Sequence, residues 1–278
     1  MSESKPERKR RVLVTGATSG IGLEMAVQSG RRGYRVAITG RREAKLAAAA
    51  RAVEAAGGEC LALAGSVTDR TDVKRHYGAI RERWGGLDWA ILNAGVGESM
   101  NARAFNAGTY RWTFATNVEG AVNWMEAVLP DMIAAGSGTI AGVSSLAAWR
   151  GMPDSGPYCA SKAALLTLLE STRVDLKGTG VRVVTVTPGY VKSEITARNR
   201  RQDMPLLLET EDGARRILEG IERGRRIVQF PWPFSWVVAY GLRNLPGFLF
   251  DWLVTEVVKR APKRPYVDES KLGQSQSL

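Results

Sequence analysis

RVLVTGATSGIGLEMA, residues 11–26, opens with a run of apolar and β-branched residues, breaks into a glycine-rich turn, and continues with helical spacing. Gly16, Gly20 and Gly22 follow a GxxxGxG spacing. Glycine lets a turn adopt dihedrals that a Cβ forbids and lets backbone approach a ligand closely. A helix that begins just after such a turn points unpaired N–H groups and the positive end of its dipole at whatever sits there, which suits a pyrophosphate. A strand, a turn of this kind and a helix at the first βα unit therefore predict a dinucleotide site lined by Gly16, Thr18, Ser19, Gly20, Ile21 and Gly22.

The same alternation continues outward. Strands are predicted over 11–15, 35–39, 60–64, 87–93, 138–143, 181–187 and 226–230, and helices over 20–32, 42–56, 69–84, 106–135, 156–177 and 209–223. Near-continuous apolar strands separated by helices imply an α/β fold, a Rossmann-like, doubly wound parallel sheet of about seven strands with helices on both faces. The expected organisation is a disordered basic tail over 1–10, a nucleotide-binding catalytic domain over 11–230, an apolar, aromatic-rich helical appendage over 231–262 and a flexible tail over 263–278.

Composition narrows the function classes. Hydrophobic residues at 44% and charged residues at 24% suit a soluble globular chain. The formal charge of +11 could serve nucleic acid, an anionic surface or a phosphorylated ligand. The basic residues lie in small scattered clusters, with no basic block interleaved with aromatics, no zinc-finger spacing and no helix-turn-helix signature, so neither nucleic-acid binding nor a metal site is expected. Two cysteines, Cys60 and Cys159, cannot form a disulfide framework and suit a reducing compartment. The polar N-terminus is no secretory signal, and no uncharged apolar stretch is long enough to span a bilayer, so a cytoplasmic location is expected.

Two further patterns carry chemistry. The second strand ends in Thr39 and Gly40 and is followed by Arg41 and Arg42, where an NAD site normally places a carboxylate for the ribose 2′-hydroxyl. Guanidinium groups bind a phosphate dianion, so Arg41 and Arg42 point to NADP, their alternative role being to begin a solvated helix. In GPYCASKAAL, Tyr158 and Lys162 stand one helical turn apart and share a face. An ammonium beside a phenol lowers the phenol's pKa towards the range useful for acid–base work, which matters in a chain whose one histidine is His76. His76 itself is expected at a surface or groove, and Cys159, about 100° round the helix from Tyr158, in packing.

Taken in order, these motifs resemble the classical short-chain dehydrogenase/reductase family over about residues 11–195. TGATSGIG at 15–22 is similar to its cofactor turn, and NAG at 93–95 to its motif after the fourth strand. Asn117 is similar to its helix asparagine, GVSSLA at 142–147 to its serine segment, YCASK at 158–162 to its YxASK and PGYVKSE at 188–194 to its PGxVxT segment. Tyr158 follows Ser145 by 13 residues, which selects Ser145 over Ser144. The resemblance implies a catalytic set of Asn117, Ser145, Tyr158 and Lys162. Tyr158 would carry the proton, Ser145 would hold the substrate oxygen, Lys162 would tune Tyr158 and hold ribose, and Asn117 would seat Lys162 in a proton relay. It adds Ser66, Val67, Asn93, Ala94, Gly95, Tyr158, Lys162, Pro188, Gly189, Val191 and Ser193 to the cofactor contacts; Ser66 departs from the family's aspartate near the adenine.

The expected function is NADP(H)-dependent hydride transfer between nicotinamide and a carbonyl or secondary alcohol, with reduction of a lipophilic ketone favoured. An NAD-dependent alcohol dehydrogenase and a catalytically idle dinucleotide-binding regulator are the alternatives. Ser145, Trp149, Met152 and Tyr190 are expected to line the substrate pocket, beneath a lid over 189–208. Residues 230–260 hold three of the eight tryptophans, Trp232, Trp236 and Trp252, with Arg243, Asp251 and Glu256 interrupting the apolar run. Packing on its own domain, docking on a partner subunit and peripheral membrane contact through 231–260 compete there. The resemblance also suggests a homodimer or homotetramer through helices 106–135 and 156–177.

Overall fold

Along β1 (Arg11–Thr15) side chains alternate between two cores: Val12 and Val14 enter one, Leu13 the other. Period-2 alternation buried on both sides is the mark of a central strand in a covered sheet. The computed structural model describes residues 8–198, 201 and 204–260. Its seven strands, β1, β2 (Arg35–Gly40), β3 (Glu59–Ala64), β4 (Trp89–Leu92), β5 (Gly138–Val143), β6 (Val181–Pro188) and β7 (Ile227–Phe230), form one sheet in the order β3-β2-β1-β4-β5-β6-β7. Every pairing is parallel. The seven strand positions and the parallel, two-faced architecture agree with the sequence reading, boundaries shifting by one or two residues.

Helices α1 (Gly20–Arg31), α2 (Glu43–Ala55) and α7 (Thr210–Glu222) supply Met25, Leu46, Val53 and Ile217 to the first core. Helices α3 (Arg70–Trp84), α5 (Gly120–Ala134) and α6 (Gly156–Asp175) supply Ile80, Trp124 and Leu169 to the second. The chain leaves β1 for β2 and β3, then returns to β4 on β1's other side, so the connections diverge above the carboxyl ends of β1 and β4. Ligands of doubly wound sheets bind at such a switch point.

Three local features depart from the sequence reading. The expected unbroken helix over 106–135 is α4 (Ala107–Phe114) and α5 joined by a π-helical turn at Ala115–Glu119. Such turns insert one extra residue and re-aim a side chain; the residue buried here is Asn117. His76 is not at a surface or groove: it is buried on α3, stacked on Trp124, with Nε2 3.0 Å from the Ala64 carbonyl oxygen. Its desolvated ring is held below the usual histidine pKa. The expected 1–10 tail is described only from Arg8; there the Arg8 guanidinium pairs with Asp88 and Arg10 lies 4.3 Å over the Trp89 ring. The expected 263–278 tail lies outside the described residues.

Cys60, on edge strand β3, and Cys159, on α6, are both buried free thiols. Burial pushes Cys60 up to about 12 and raises Cys159. The larger compact unit extends to Arg243, and a second begins at Asn244. After β7 the larger unit ends in α8 (Phe234–Trp236), which runs into a π-helical stretch at Val237–Leu242. Trp232, Trp236 and Tyr240 are exposed there, Trp232 to 80%. The second unit contains α9 (Gly247–Arg260), with Phe248 and Trp252 exposed. Among the described residues no helix is long and apolar enough to cross a membrane.

Candidate active site

The turn after β1 is held open by its neighbours' backbones. Gly16 has φ +66°, and a Cβ on it would meet the Ala94 Cα at 2.8 Å. A Cβ on Gly22 would collide with the Gly16 carbonyl oxygen and the Asn93 side chain. Both positions therefore require glycine on steric grounds. The 93–95 segment braces the turn: Thr15 Oγ1 accepts from the Asn93 and Ala94 N–H groups at 2.9 and 3.0 Å, and Asn93 Nδ2 donates to the Thr15 carbonyl at 3.0 Å. Helix α1 starts with no side-chain cap on Ser19 and no acidic residue in its first turn. Its terminal N–H groups and dipole are thus directed at the turn, as a pyrophosphate requires.

Beside the turn, Arg42 Nη2 donates to Thr18 Oγ1 at 2.8 Å and Ser19 Oγ at 3.0 Å. Arg42 Nη1 meets both Glu194 oxygens, at 3.0 and 2.9 Å, and Lys45 Nζ meets Glu194 Oε1 at 2.8 Å. These hydrogen bonds, Arg42's first, pull the Glu194 carboxyl down to about 2. An anion is therefore already accommodated among Ser19, Arg42 and Lys45, and the donor set fits a phosphate. Arg41 is exposed at the same turn and is not drawn into this cluster. Sequence reading missed Lys45, although its place three residues after Arg42 in RREAK puts it on the same side of the first turn of α2.

The catalytic candidates converge from three elements. Ser145 follows β5 and hydrogen-bonds the Tyr158 hydroxyl. Ser144 instead donates to the Lys162 carbonyl at 2.7 Å, within α6 packing. Lys162 is buried, its Nζ donating to the Val143 carbonyl at 2.8 Å and lying 5.7 Å from the Tyr158 ring centre. Asn117 Oδ1 accepts from Val96 N–H at 2.7 Å, and its Nδ2 donates to the Val96 carbonyl and Ser161 Oγ at 3.0 and 2.9 Å. The π-helical turn thereby pins the segment after β4 to α6. A Cβ on Gly95 would lie 3.2 Å from Lys162 Nζ and 3.3 Å from Asn117 Oδ1, so the bracing segment, the lysine and the asparagine meet at one point.

Electrostatically the site differs from the simple expectation. Burial raises the Tyr158 phenol above its ordinary pKa, opposed by the Ser145 hydrogen bond. Burial likewise pushes the Lys162 ammonium down to about 8. Desolvation thus dominates at both groups, because each charged form has lost its water.

The remaining positions are mixed. Ser66 N–H donates to Asp72 Oδ2 at 2.9 Å, and the Val67 carbonyl accepts from Asn123 at 3.0 Å, fixing the strand-end loop after β3. Pro188 closes β6, and Gly189 N–H donates to the Phe230 carbonyl at 2.8 Å. Val191 is buried, bridged to Leu208, and Ser193 Cβ would lie 3.1 Å from a Cβ on Gly20, so the 191–194 segment sits directly on the cofactor turn. Half-buried Tyr190 lies close enough to Tyr158 to add to the rise in its pKa. Trp149 is stacked beneath the Arg243 guanidinium at 4.9 Å, while Met152 is 42% exposed. Ile195, not foreseen, shares the Gly97 backbone with the Tyr158 ring: a Cβ there would lie 3.1 Å from Ile195 Cγ2 and 3.3 Å from Tyr158 Cδ2. The rest of the expected lid includes 199–200 and 202–203, outside the described residues.

Comparison with known proteins gives the same picture. A family model described as short chain dehydrogenase matches residues 10–204. A protein described as an uncharacterized oxidoreductase from Myxococcus xanthus is 43% identical over 242 residues, 87% of this chain and 95% of that one. A ketoacyl reductase, HetN, from a Nostoc species is 31% identical over 196 residues, 70% of this chain and 68% of that one. A Burkholderia phymatum short chain dehydrogenase/reductase solved in complex with NAD superposes with a TM-score of 0.78 at 23% identity, covering 95% of this chain and 100% of that one.

Proposed function

The chain belongs to the short-chain dehydrogenase family, an oxidoreductase family that works with nicotinamide dinucleotides, and from that premise we propose that it is an NADP(H)-dependent reductase of lipophilic ketones. The observation that carries the catalytic reading is the meeting of Ser145, Tyr158 and Lys162 at the carboxyl end of the sheet, beside the glycine turn. The observation behind the choice of dinucleotide is Arg42, which holds Thr18 and Ser19 while binding an anion. The relative named a ketoacyl reductase supports a carbonyl substrate.

The bound dinucleotide supplies the hydride that the carbonyl carbon receives. The chain's own residues manage the oxygen. Ser145 donates a hydrogen bond to it and fixes its position. Tyr158 transfers its phenolic proton to it, completing the alcohol. The Lys162 ammonium, buried and within 5.7 Å of the ring centre, stabilises the phenolate left behind. Asn117 acts as a positioning residue, locking Val96 and Ser161 around Lys162. Tyr190 and Ile195, both beside Tyr158, would supply apolar surface to the substrate, with Trp149 and Met152 as further candidates for the pocket.

Loss of NADPH absorbance with a panel of hydrophobic ketones tests the reading. Turnover with at least one ketone, and tighter binding of NADPH than of NADH, are expected; tighter binding of NADH would overturn the choice of dinucleotide. The exposed Trp232, Trp236 and Tyr240, with the chain's +11 charge, support peripheral contact with an anionic membrane, which co-sedimentation with phosphatidylserine vesicles would detect. Exposed Val122, Ile133 and Val174 on α5 and α6 support a homodimer or homotetramer, readable as molar mass by light scattering.

A further inference from the structure

Glu194 stands where the reading of Arg42 would put the cofactor's 2′-phosphate. It comes from the segment that lies over the glycine turn, and three cofactor-side groups hold it: Ser19, Arg42 and Lys45. Neither arginine nor lysine is buried, and the pairs are open to solvent: the Arg42 and Glu194 side chains are 44% and 52% exposed. Exposed pairs of this kind are individually weak and exchange readily. The segment itself is tied nearby by Val191, bridged to Leu208, and by Thr196 Oγ1, which accepts from Ser193 N–H at 2.8 Å. A carboxylate on a short tether therefore neutralises the Arg42–Lys45 cation pair.

We propose that Glu194 is a resident counter-anion that the 2′-phosphate displaces from Arg42 and Lys45, making it a specificity-determining residue and coupling cofactor entry to release of the 191–197 segment beside Tyr158. Two like-charged groups cannot share one cation pair at contact distance without a cost. A cofactor bearing a 2′-phosphate consequently expels Glu194, whereas one with a free 2′-hydroxyl leaves the pairs intact. Because Ile195 follows Glu194 and flanks the Tyr158 ring through Gly97, expulsion also moves the wall of the substrate pocket. Lys45 joins Arg42 as a phosphate ligand. The inference deepens the NADP reading and rests on it.

The test uses the full chain and two probes, adenosine 2′,5′-bisphosphate and ADP, in titration calorimetry. The wild type should bind the bisphosphate more tightly than ADP. Glu194→Gln should tighten the bisphosphate about fivefold, the scale of removing a weak exposed competitor for two cations, and leave ADP within twofold. In the wild type, hydrogen exchange at the amides of 191–197 should accelerate with the bisphosphate and not with ADP. An unchanged affinity for the bisphosphate in Glu194→Gln, or no change in exchange, would overturn the displacement while leaving the wild type's preference for the 2′-phosphate standing. A wild-type preference for ADP would instead remove the NADP reading and the inference with it. Weaker ADP binding in Glu194→Gln would reassign Glu194 as the acceptor for a ribose 2′-hydroxyl, against both.

Discussion

The two sides of the cleft are built on different principles. On the cofactor side, the close contacts all involve backbone: Gly16 against the Ala94 Cα, Gly22 against the Gly16 carbonyl, and Thr15 and Asn93 each joining a side chain to the other's backbone. On the side of the 190s, backbone bridges Val191 to Leu208, and the outward contacts are exposed ion pairs: Glu194 to Arg42 and Lys45, Lys192 to Glu209. Backbone contacts leave no room for variation in residue type, so they write themselves into the sequence as glycines. Contacts between long exposed side chains are weak and replaceable, so the same geometry leaves little trace.

The comparison can be broken at several points, the largest effect first. Tyr158→Phe should lower turnover at least about a thousandfold, the loss of a positioned proton donor, while NADPH titration gives an unaltered Kd; substantial residual turnover would remove Tyr158 as the acid. Gly22→Ala, which drives a methyl group into backbone, should cost about 3 kcal/mol in urea unfolding, at the upper end of overpacking costs. Lys192→Ala, which removes one exposed ion pair to Glu209, should cost less than about 1 kcal/mol. Similar losses at both positions would erase the contrast. Arg42→Ala should weaken NADPH about thirtyfold and NADH little, as loss of a charge-assisted phosphate contact does.

Smaller and general is the acid response. His76 is held neutral by burial, its folded pKa below the ordinary value of 6.5. Stability is therefore intact above that value and falls as pH drops through the folded pKa, because the unfolded chain takes up the proton first. Urea midpoints at pH 7.5 and 5 should separate further in the wild type than in His76→Phe. Smallest of all, Trp236→Ser should change stability by less than about 0.5 kcal/mol, as exposed substitutions do; only vesicle binding should respond.

The legibility of this chain follows the same division. The sheet was readable because its central strands are buried on both faces and so are largely apolar, and because glycine cannot be replaced where Gly16 and Gly22 pass other backbone. Tyr158 and Lys162 drew notice in the sequence through their one-turn spacing and Ser145 through the family resemblance, and the fold brings the three together. The π-helical turn at Asn117 was not, since one extra residue in a helix leaves the apolar period nearly intact on either side. His76 misled because a lone histidine on a polar helix reads as exposed, and only the fold shows Trp124 beneath it. The Glu194 contact was hidden because it joins residues 152 positions apart through side chains with no shape constraint.

The two buried thiols give the molecule a built-in pair of clocks. Neither Cys60 nor Cys159 can react with an alkylating reagent while its sulfur is protonated and covered. Labelling at either one therefore times an opening event: Cys60 the peeling of the outermost strand, Cys159 the loosening of the helix that carries the reactive phenol. Followed together by mass spectrometry, with and without dinucleotide, the two rates separate whole-chain unfolding from local breathing at the sheet's margin.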